Sequence, residues 1–254
     1  MLHKEECFEA LTNVTNAPVT VLSSTCSTND DLKKLALEGA PHGTVVMALS
    51  QCQGRGRLGR VFSSEEGGVS VSYLVRNPLS HDAVHLTVSA AVAAARALEY
   101  VSGVCVGIKW VNDLFFYGKK CGGILVEGVY DGESPSLACA VIGIGINLYN
   151  PLPEELKNIA ISVKEAGGNW ENGAILAAQL VKELGKLTQI DAPLPIEEYR
   201  ARSILIGKKV DVVTPCTTYE AEVISILDDA SLKVRVATGE EIRLGAGEVR
   251  LKMN

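Results

Sequence analysis

The chain has 254 residues, 47% of them hydrophobic, enough for one large core with room for a small satellite unit. A net charge of −6 and a sequence pI near 5.4 leave no broad basic face to displace counterions from a polyanion, which excludes a protein that coats nucleic acid. The arginines that do cluster are therefore a local feature, suited to a small ligand.

No basic segment followed by an apolar run opens the chain, so no secretory signal is read. "CSTNDDLKKLALEGA" places Ser27, Thr28 and Asn29 ahead of two acids and ends at Gly39, the pattern of a capped helix whose first residues sit on a loop. "GTVVMALSQ" reads as a buried strand feeding the loop "QCQGRGRLGR", and "GGVSVSYLVR" as a second strand with β-branched residues at alternate positions. The alanine-rich "AVHLTVSAAVAAARALEYV" is a buried helix. "VCVGIKW", "DLFFY" and "CGGILVEGVY" follow as strands whose linkers are too short for a parallel crossover, so they run as an antiparallel meander. "DGESPS" turns the chain into a further strand, "LACAVIGIGINL", which is too short and too glycine-broken to span a bilayer. Residues 151–206 read as helical. From Gly207 five short alternating strands, "KKVDVVT", "YEAEVISILD", "SLKVRVAT", "EEIRLGA" and "EVRLK", form a small barrel-like appendage. The expected class is α+β, a mixed or antiparallel sheet with helices, in a unit of residues 1–206 followed by a β unit of residues 207–254.

The seven cysteines make no C-x-x-C pair and read as reduced thiols of a cytoplasmic protein. His81 and His85 could share a helical face, but no HExxH context accompanies them, and no metal held by protein ligands alone is expected.

Three stretches carry chemistry. In the first, Gly54, Arg55, Gly56, Arg57, Leu58, Gly59 and Arg60 lack the lysine–hydroxyl end of a phosphate-binding P-loop. They also fail to open a helix as a dinucleotide fingerprint must. Two readings remain: a surface hairpin with solvated arginines, or a loop whose guanidiniums grip carboxylate or phosphate oxygens. The second, "IKWVNDLFFYGKKCGGILVE", gathers Lys109, Asn112, Asp113, Lys119, Lys120, Gly122 and Gly123 around strand–turn–strand. Lys109 ends an apolar strand, either as a partner of Asp113 or Glu127 or as a cation at a reacting carboxylate and phosphate. The third, "VIGIGINLY", holds Gly143 and Gly145 inside a buried strand and ends in Asn147, whose amide can both donate and accept.

Together and in this order, Ser27–Thr28–Asn29, Gln51 with Gly54 to Arg60, Lys109 to Asp113 with Lys120 to Glu127, and Gly143 to Asn147 resemble the biotin–protein ligases. The resemblance covers about residues 20 to 150 by motif and extends by layout to a small SH3-like β-barrel after a biotinyl/lipoyl protein ligase-like catalytic domain. It implies activation of biotin by MgATP to biotinyl-5'-AMP, with Mg2+ required, and transfer of biotin to a lysine of a carboxylase's biotin carboxyl carrier domain. It also assigns roles. Lys109, Arg57 and Asp113 would be catalytic. Ser27, Thr28, Asn29, Gln51, Gly54, Arg55, Gly56, Arg57, Lys120, Gly122 and Gly123 would bind biotin. Arg57, Arg60, Phe62, Asn112 and Asn147 would bind the nucleotide. The arginine loop would be a lid that keeps water from a mixed anhydride.

Two positions depart from the family pattern. Val111 replaces the proline of "KWPND", removing a backbone restraint, and Phe62 replaces a tryptophan, keeping an apolar face but losing an indole donor. The 22 residues before Ser23 are too few for a DNA-binding domain, so no nucleic-acid partner and no membrane partner are expected. A lipoate–protein ligase, or a silent biotin or nucleotide sensor, are the competing readings.

Overall fold

The structure is a computed structural model, and it describes residues 2–76, 83–130, 137–189, 191–214, 216–246 and 250–253. His81 of the histidine pair, the "DGESPS" turn and residues 248–249 of "EVRLK" lie outside the described residues.

Among the described residues there are twelve strands and five α-helices. They begin α1 (Lys4–Thr12), β1 (Val19–Leu22), α2 (Thr28–Leu37), β2 (Val45–Ala48), β3 (Val69–Arg76) and α3 (Ala83–Ser102). β4 (Gly107–Lys109), β5 (Asp113–Phe116), β6 (Lys119–Tyr130), β7 (Leu137–Ile146), α4 (Gly173–Leu187) and α5 (Ile196–Ala201) follow. The chain ends with β8 (Lys209–Val213), β9 (Thr218–Ile226), β10 (Leu232–Val236), β11 (Glu241–Leu244) and β12 (Arg250–Met253). The first seven strands form one sheet in the order β1-β2-β3-β7-β6-β5-β4. Among the described strands of this sheet only β1 and β2 pair in parallel, with α2 as their crossover; β4 to β6 form the expected antiparallel meander, and β7 pairs antiparallel with β6. The expected α+β class holds.

Two-residue alternation decides what lies on each face of this sheet. On β3, Val69, Val71, Tyr73 and Val75 join the main core, where α3 and α4 pack. Ser70, Ser72 and Leu74 take the opposite face, and Leu74 is covered there by α2 together with Leu32 and Ala36. β7 repeats the rule: Ile142, Ile144 and Ile146 belong to the main core, and Cys139 and Val141 lie under α2. Gly143 and Gly145 carry the α2 face beyond the helix, where it opens into a cleft.

Two expectations need correction. Residues 151–206 are not continuously helical: α4 and α5 are helices, but 151–172 hold one short 3-10 turn, Glu154–Leu156. Pro151, Pro153 and the pair Gly167–Gly168 break any helix there. Part of the segment instead pairs with the start of β6, with Lys120 N donating to Ile159 O at 2.9 Å and Ile161 N to Lys120 O at 2.9 Å. Helix α1 and strand β1 were not anticipated; α1 packs on α4 and β1, burying Cys7 and Leu11.

The second sheet is antiparallel, in the order β11-β10-β9-β8-β12, and fits the small β unit expected after Gly207. Its apolar side, including Val210, Val212, Val223, Leu232 and Val234, merges with the cluster that holds Trp110, Tyr199 and Leu205. Trp110 Nε1 donates to Ala230 O at 2.8 Å and Arg200 Nε to Ile226 O at 2.6 Å, so the sheet is fastened beside the β4–β5 turn.

Candidate active site

The cleft lies between the N-terminus of α2, the arginine loop, and the exposed ends of β4 to β7. Its floor is Gly143 and Gly145. A Cβ on Gly143 would come 2.2 Å from Asn29 Oδ1, and one on Gly145 would come 2.4 Å from Phe62 Cε1. Both glycines therefore let side chains from above lie directly on the strand backbone.

One wall is a hydrogen-bonded web of short polar groups. Ser27 caps α2 by accepting from Asp30 N, which presents Thr28 and Asn29 in the first turn. Gln51 Oε1 accepts from Thr28 N at 2.8 Å and from Thr28 Oγ1 at 3.1 Å, while Nε2 donates to Ser64 Oγ at 2.9 Å and Ser70 Oγ at 3.1 Å. All four hydrogen-bonding positions of the amide are thus filled by protein groups. Ser72 Oγ lies 2.8 Å from Thr28 Oγ1 and 2.6 Å from Asn29 Oδ1; Asn29 Nδ2 donates to Glu127 Oε2 at 2.7 Å. Ser64, Ser70, Ser72 and Glu127 were not proposed as site residues. The signal was present in β3, where serines alternate with valines and so must share the face opposite the core.

The opposite wall is cationic. Lys109 and Lys120 line it from β4 and β6, with Asp113 between them on β5. Lys120 Nζ pairs with Asp113 Oδ1 at 2.5 Å, in space left by the missing side chain of Gly123, whose Cβ would lie 3.3 Å from Lys120 Nζ. Lys109 Nζ stands 6.0 Å from the Phe115 ring centroid. Of the two carboxylates considered for Lys109, Asp113 also pairs with Lys120, and Glu127 pairs with Lys33 at 2.6 Å. Lys119 points away and donates to Lys157 O at 2.8 Å.

The arginine loop is an ordered hairpin, bridged at Gln51–Ser64 and at Arg55–Val61 and turned by a 3-10 segment, Arg57–Gly59. Gly59 has φ +72°, a left-handed conformation that favours glycine. Gly54 serves the hairpin rather than the cleft, since a Cβ there would meet Phe62 O at 2.4 Å. Arg55 forms a bidentate pair with Asp30, at 2.7 and 2.5 Å, and approaches Glu127 at 3.6 Å. Arg57 turns inward, donating to Asn112 Oδ1 at 3.3 Å and to Ala246 O. Burial pushes its guanidinium below its ordinary pKa, against the pull of Asp113. Asn112 Nδ2 donates to Ile124 O at 2.8 Å, and Tyr199, fully buried, donates from its hydroxyl to Val111 O at 2.9 Å. The Trp110–Val111 peptide is cis, and these bonds hold the turn that lacks the family's proline.

Of the residues singled out from sequence, Ser27, Thr28, Asn29, Gln51, Arg55, Gly56, Arg57, Arg60, Phe62, Lys109, Asn112, Asp113, Lys120 and Gly123 line this one cleft. Gly54, Gly122 and Asn147 do not. Gly122 sits where a Cβ would come 2.8 Å from Gly145 O on the neighbouring strand. Asn147 is buried, its Oδ1 accepting from Asn150 Nδ2 at 3.3 Å and its backbone tied to Cys121 and Val163.

The pair of carboxylates under the hairpin makes a pH-dependent latch. Asp30 is held below the usual aspartate range chiefly by the hydrogen bond from Arg55. Burial pushes Glu127 up, but Lys33, Asn29 and Arg55 together bring it below its ordinary value. A lowered folded pKa stabilises above the unfolded value near 3.9 for Asp, and that contribution is lost as pH falls through the folded value. The stability difference between the wild type and Asp30→Asn is therefore expected to persist from neutral pH to about 4 and to close only below it. It should not exceed about 1 kcal/mol, because the pair is partly solvated. Urea unfolding of both proteins across pH checks this, and a gap that widens in acid would reverse the assignment.

A hydrogen-bonded polar wall facing lysines and arginines across a glycine floor defines a class of site, one chemically suited to a ligand with neutral polar groups at one end and anionic groups at the other. Comparison with known proteins makes the assignment narrower. The model of the biotin/lipoate A/B protein ligase family matches residues 21–147, half of the chain, and the protein belongs to that family. It is 42% identical over 153 residues to the bifunctional ligase/repressor BirA of Bacillus subtilis, covering 58% of this chain and 46% of that protein. It is 29% identical over 239 residues to the biotin–[acetyl-CoA-carboxylase] ligase of Mycobacterium tuberculosis, covering 90% and 87% of the two chains. Its fold is similar to the biotin protein ligase of Aquifex aeolicus in complex with biotin and ATP, with a TM-score of 0.78, 25% identity, and coverage of 93% of this chain and 99% of that one. The match spans about half the length of the ligase/repressor relatives.

Proposed function

We propose that the protein is a biotin–protein ligase. It activates biotin with MgATP to biotinyl-5'-AMP and passes the biotinyl group to one lysine of a carboxylase's biotin carboxyl carrier domain. The observation that carries this reading is the single cleft in which the Thr28–Gln51–Ser72 web faces Lys109, Lys120 and Arg57. Biotin's ureido ring is neutral but rich in N–H and C=O groups, and needs short polar side chains around it once buried. Its carboxylate and the α-phosphate repel each other and must be brought together among cations.

In the first step a carboxylate oxygen attacks the α-phosphorus and pyrophosphate leaves with the electron pair of the broken P–O bond. In the second, the acceptor's amine attacks the acyl carbon, AMP leaves, and the amine loses its proton. Lys109 and Lys120 oppose charge build-up in the first step, and Arg57 holds the phosphate of the intermediate under the hairpin. Among the described residues no three His, Cys, Asp or Glu side chains cluster as a metal site. The Mg2+ in this scheme enters as part of the MgATP substrate, coordinated by its phosphates. The catalytic unit is residues 1–206, and residues 207–254 brace the cleft through Ala230 and Ala246. Among the described residues no helix is long and apolar enough to cross a membrane. We place the enzyme in the cytoplasm, beside a carboxylase as its acceptor.

Isotope exchange between pyrophosphate and ATP tests the reading. Biotin-dependent exchange is expected; exchange with lipoate alone would make this a lipoate ligase, and biotin binding without exchange a sensor. A second measurement addresses the ring end of the cleft. Gln51→Ala removes the amide that holds Thr28, Ser64 and Ser70 in place and, by loosening that wall, should cost biotin affinity roughly 1–3 kcal/mol, the scale of leaving polar groups of a buried site unpaired. ATP affinity without biotin should hardly change. Calorimetry giving the opposite split would remove Gln51 from the biotin wall.

A further inference from the structure

Two thiols that this mechanism does not use stand at the rim of the cleft. Cys26 and Cys52 are free and exposed, and Cys52 Sγ donates to Cys26 Sγ at 3.3 Å. Their backbones run side by side. Thr25 and Gln51 form a parallel bridge, Cys52 N donates to Thr25 O at 3.0 Å, and Gln53 N donates to Cys26 O at 2.9 Å. Adjacent strands lie about 4.8 Å apart, within the Cα separation of roughly 4.4–6.8 Å that a disulfide spans. The sulfurs need only a small closing movement to reach bonding distance, with no backbone rearrangement. Each cysteine also borders the site: Cys26 precedes the α2 cap Ser27, and Cys52 follows Gln51 at the root of the hairpin.

The other cysteines offer no such pair. Cys7, Cys121 and Cys139 are buried. Cys105 and Cys216 are exposed, but among the described residues only Cys26 and Cys52 share a thiol–thiol contact.

We propose that Cys26 and Cys52 are a site of reversible disulfide formation, which fastens the root of the arginine hairpin covalently to the start of α2. The oxidant is a low-molecular-weight disulfide, RSSR. One cysteine thiolate attacks it, forming a mixed protein disulfide and releasing RS−, which takes up the proton that the cysteine gave away. The second cysteine thiolate then attacks the protein sulfur of the mixed disulfide and expels the other RS−, which is protonated in turn. Two protein thiols are oxidised to one disulfide, and RSSR is reduced to two RSH. The bond adds a covalent tie to the two backbone hydrogen bonds that already join residues 52–53 to 25–26, and so makes local opening at the root of the hairpin depend on the thiol poise of the cell. This goes beyond the ligase reading and stands without it, since the chemistry needs neither biotin nor ATP.

The test uses the full chain without ligands. The protein is equilibrated with glutathione disulfide, digested without reduction and mapped by mass spectrometry. The Cys26–Cys52 link is expected in at least about tenfold excess over any other cysteine pair, and dithiothreitol should abolish it. Backbone hydrogen exchange across residues 50–56 should slow by at least about tenfold on oxidation, as loss of a local opening motion predicts. Cys52→Ser treated in the same way should show no slowing; if that variant does not fold, oxidised and reduced wild type carry the comparison alone. Separate glutathione adducts on the two cysteines without an internal link would overturn the proposal. So would linkage through Cys105 or Cys216 at a similar rate, or a Cys26–Cys52 link that leaves exchange unchanged.

Discussion

Lys109→Ala is expected to slow formation of biotinyl-5'-AMP by about 10²–10³-fold, the usual loss when one preorganised stabiliser of transition-state charge is removed. The expected loss of biotin affinity is much smaller. The asymmetry follows from where the charge is. Free biotin brings one carboxylate, which Lys120 and the loop arginines can also attract, whereas the transition state concentrates carboxylate and phosphate charge at one point of the cleft. Lys109 sits on β4, opposite Asp113 in the β4–β5 register, and both line the cleft. Single-turnover measurement of the adenylate, beside calorimetric titration of biotin, separates the effects. Equal losses in both, with the rate at saturation unchanged, would make Lys109 a binding residue only.

Why the chemistry could be read from sequence while parts of the scaffold could not is a matter of which interactions are local. Ser27, Thr28 and Asn29 declare themselves because a helix cap is a short-range pattern, and the structure shows Ser27 capping Asp30. The meander β4–β6 was legible because its linkers are too short to do anything but reverse. For Asn147 the sequence left two readings open, because glycine and asparagine near a strand end mark a ligand approach or a turn equally well; the structure ties the asparagine to Asn150 and Val163. Helix α1 carries little amphipathic signal of its own and is placed by packing against the adjacent β1 and against α4, a partner distant in sequence. The stretch 151–172 has the composition of a helical region, but its prolines and the backbone pairing with Lys120 decide otherwise. The Asp30–Arg55 latch needed the fold as well: 25 residues separate its members, and only the hairpin folded over α2 brings them together.

Arg57→Gly is expected to turn the enzyme into a source of free biotinyl-5'-AMP. Arg57 does two things at once. Its guanidinium is drawn partly out of water into the cleft, where a phosphate would be gripped by a charge-assisted and bidentate contact. It also donates to Asn112 Oδ1 and Ala246 O, so one side chain ties the hairpin to the β5 entrance and to the second sheet. Glycine removes both ties and frees the backbone next to Gly56. Lys109, Lys120 and Arg55 remain in the cleft wall, so the adenylate still forms, but neither the phosphate grip nor the closed hairpin holds it there. A mixed anhydride released in this way acylates whatever amine it meets before water destroys it. The variant is therefore mixed with biotin, MgATP and a bystander protein that has exposed lysines, and the bystander is probed for biotin. Labelling well above that given by the wild type is the expected result. Adenylate made at a substantial rate with the bystander unlabelled would show that Arg57 does not retain the intermediate. No adenylate at all would move Arg57 from retention into the chemistry of the first step, alongside Lys109.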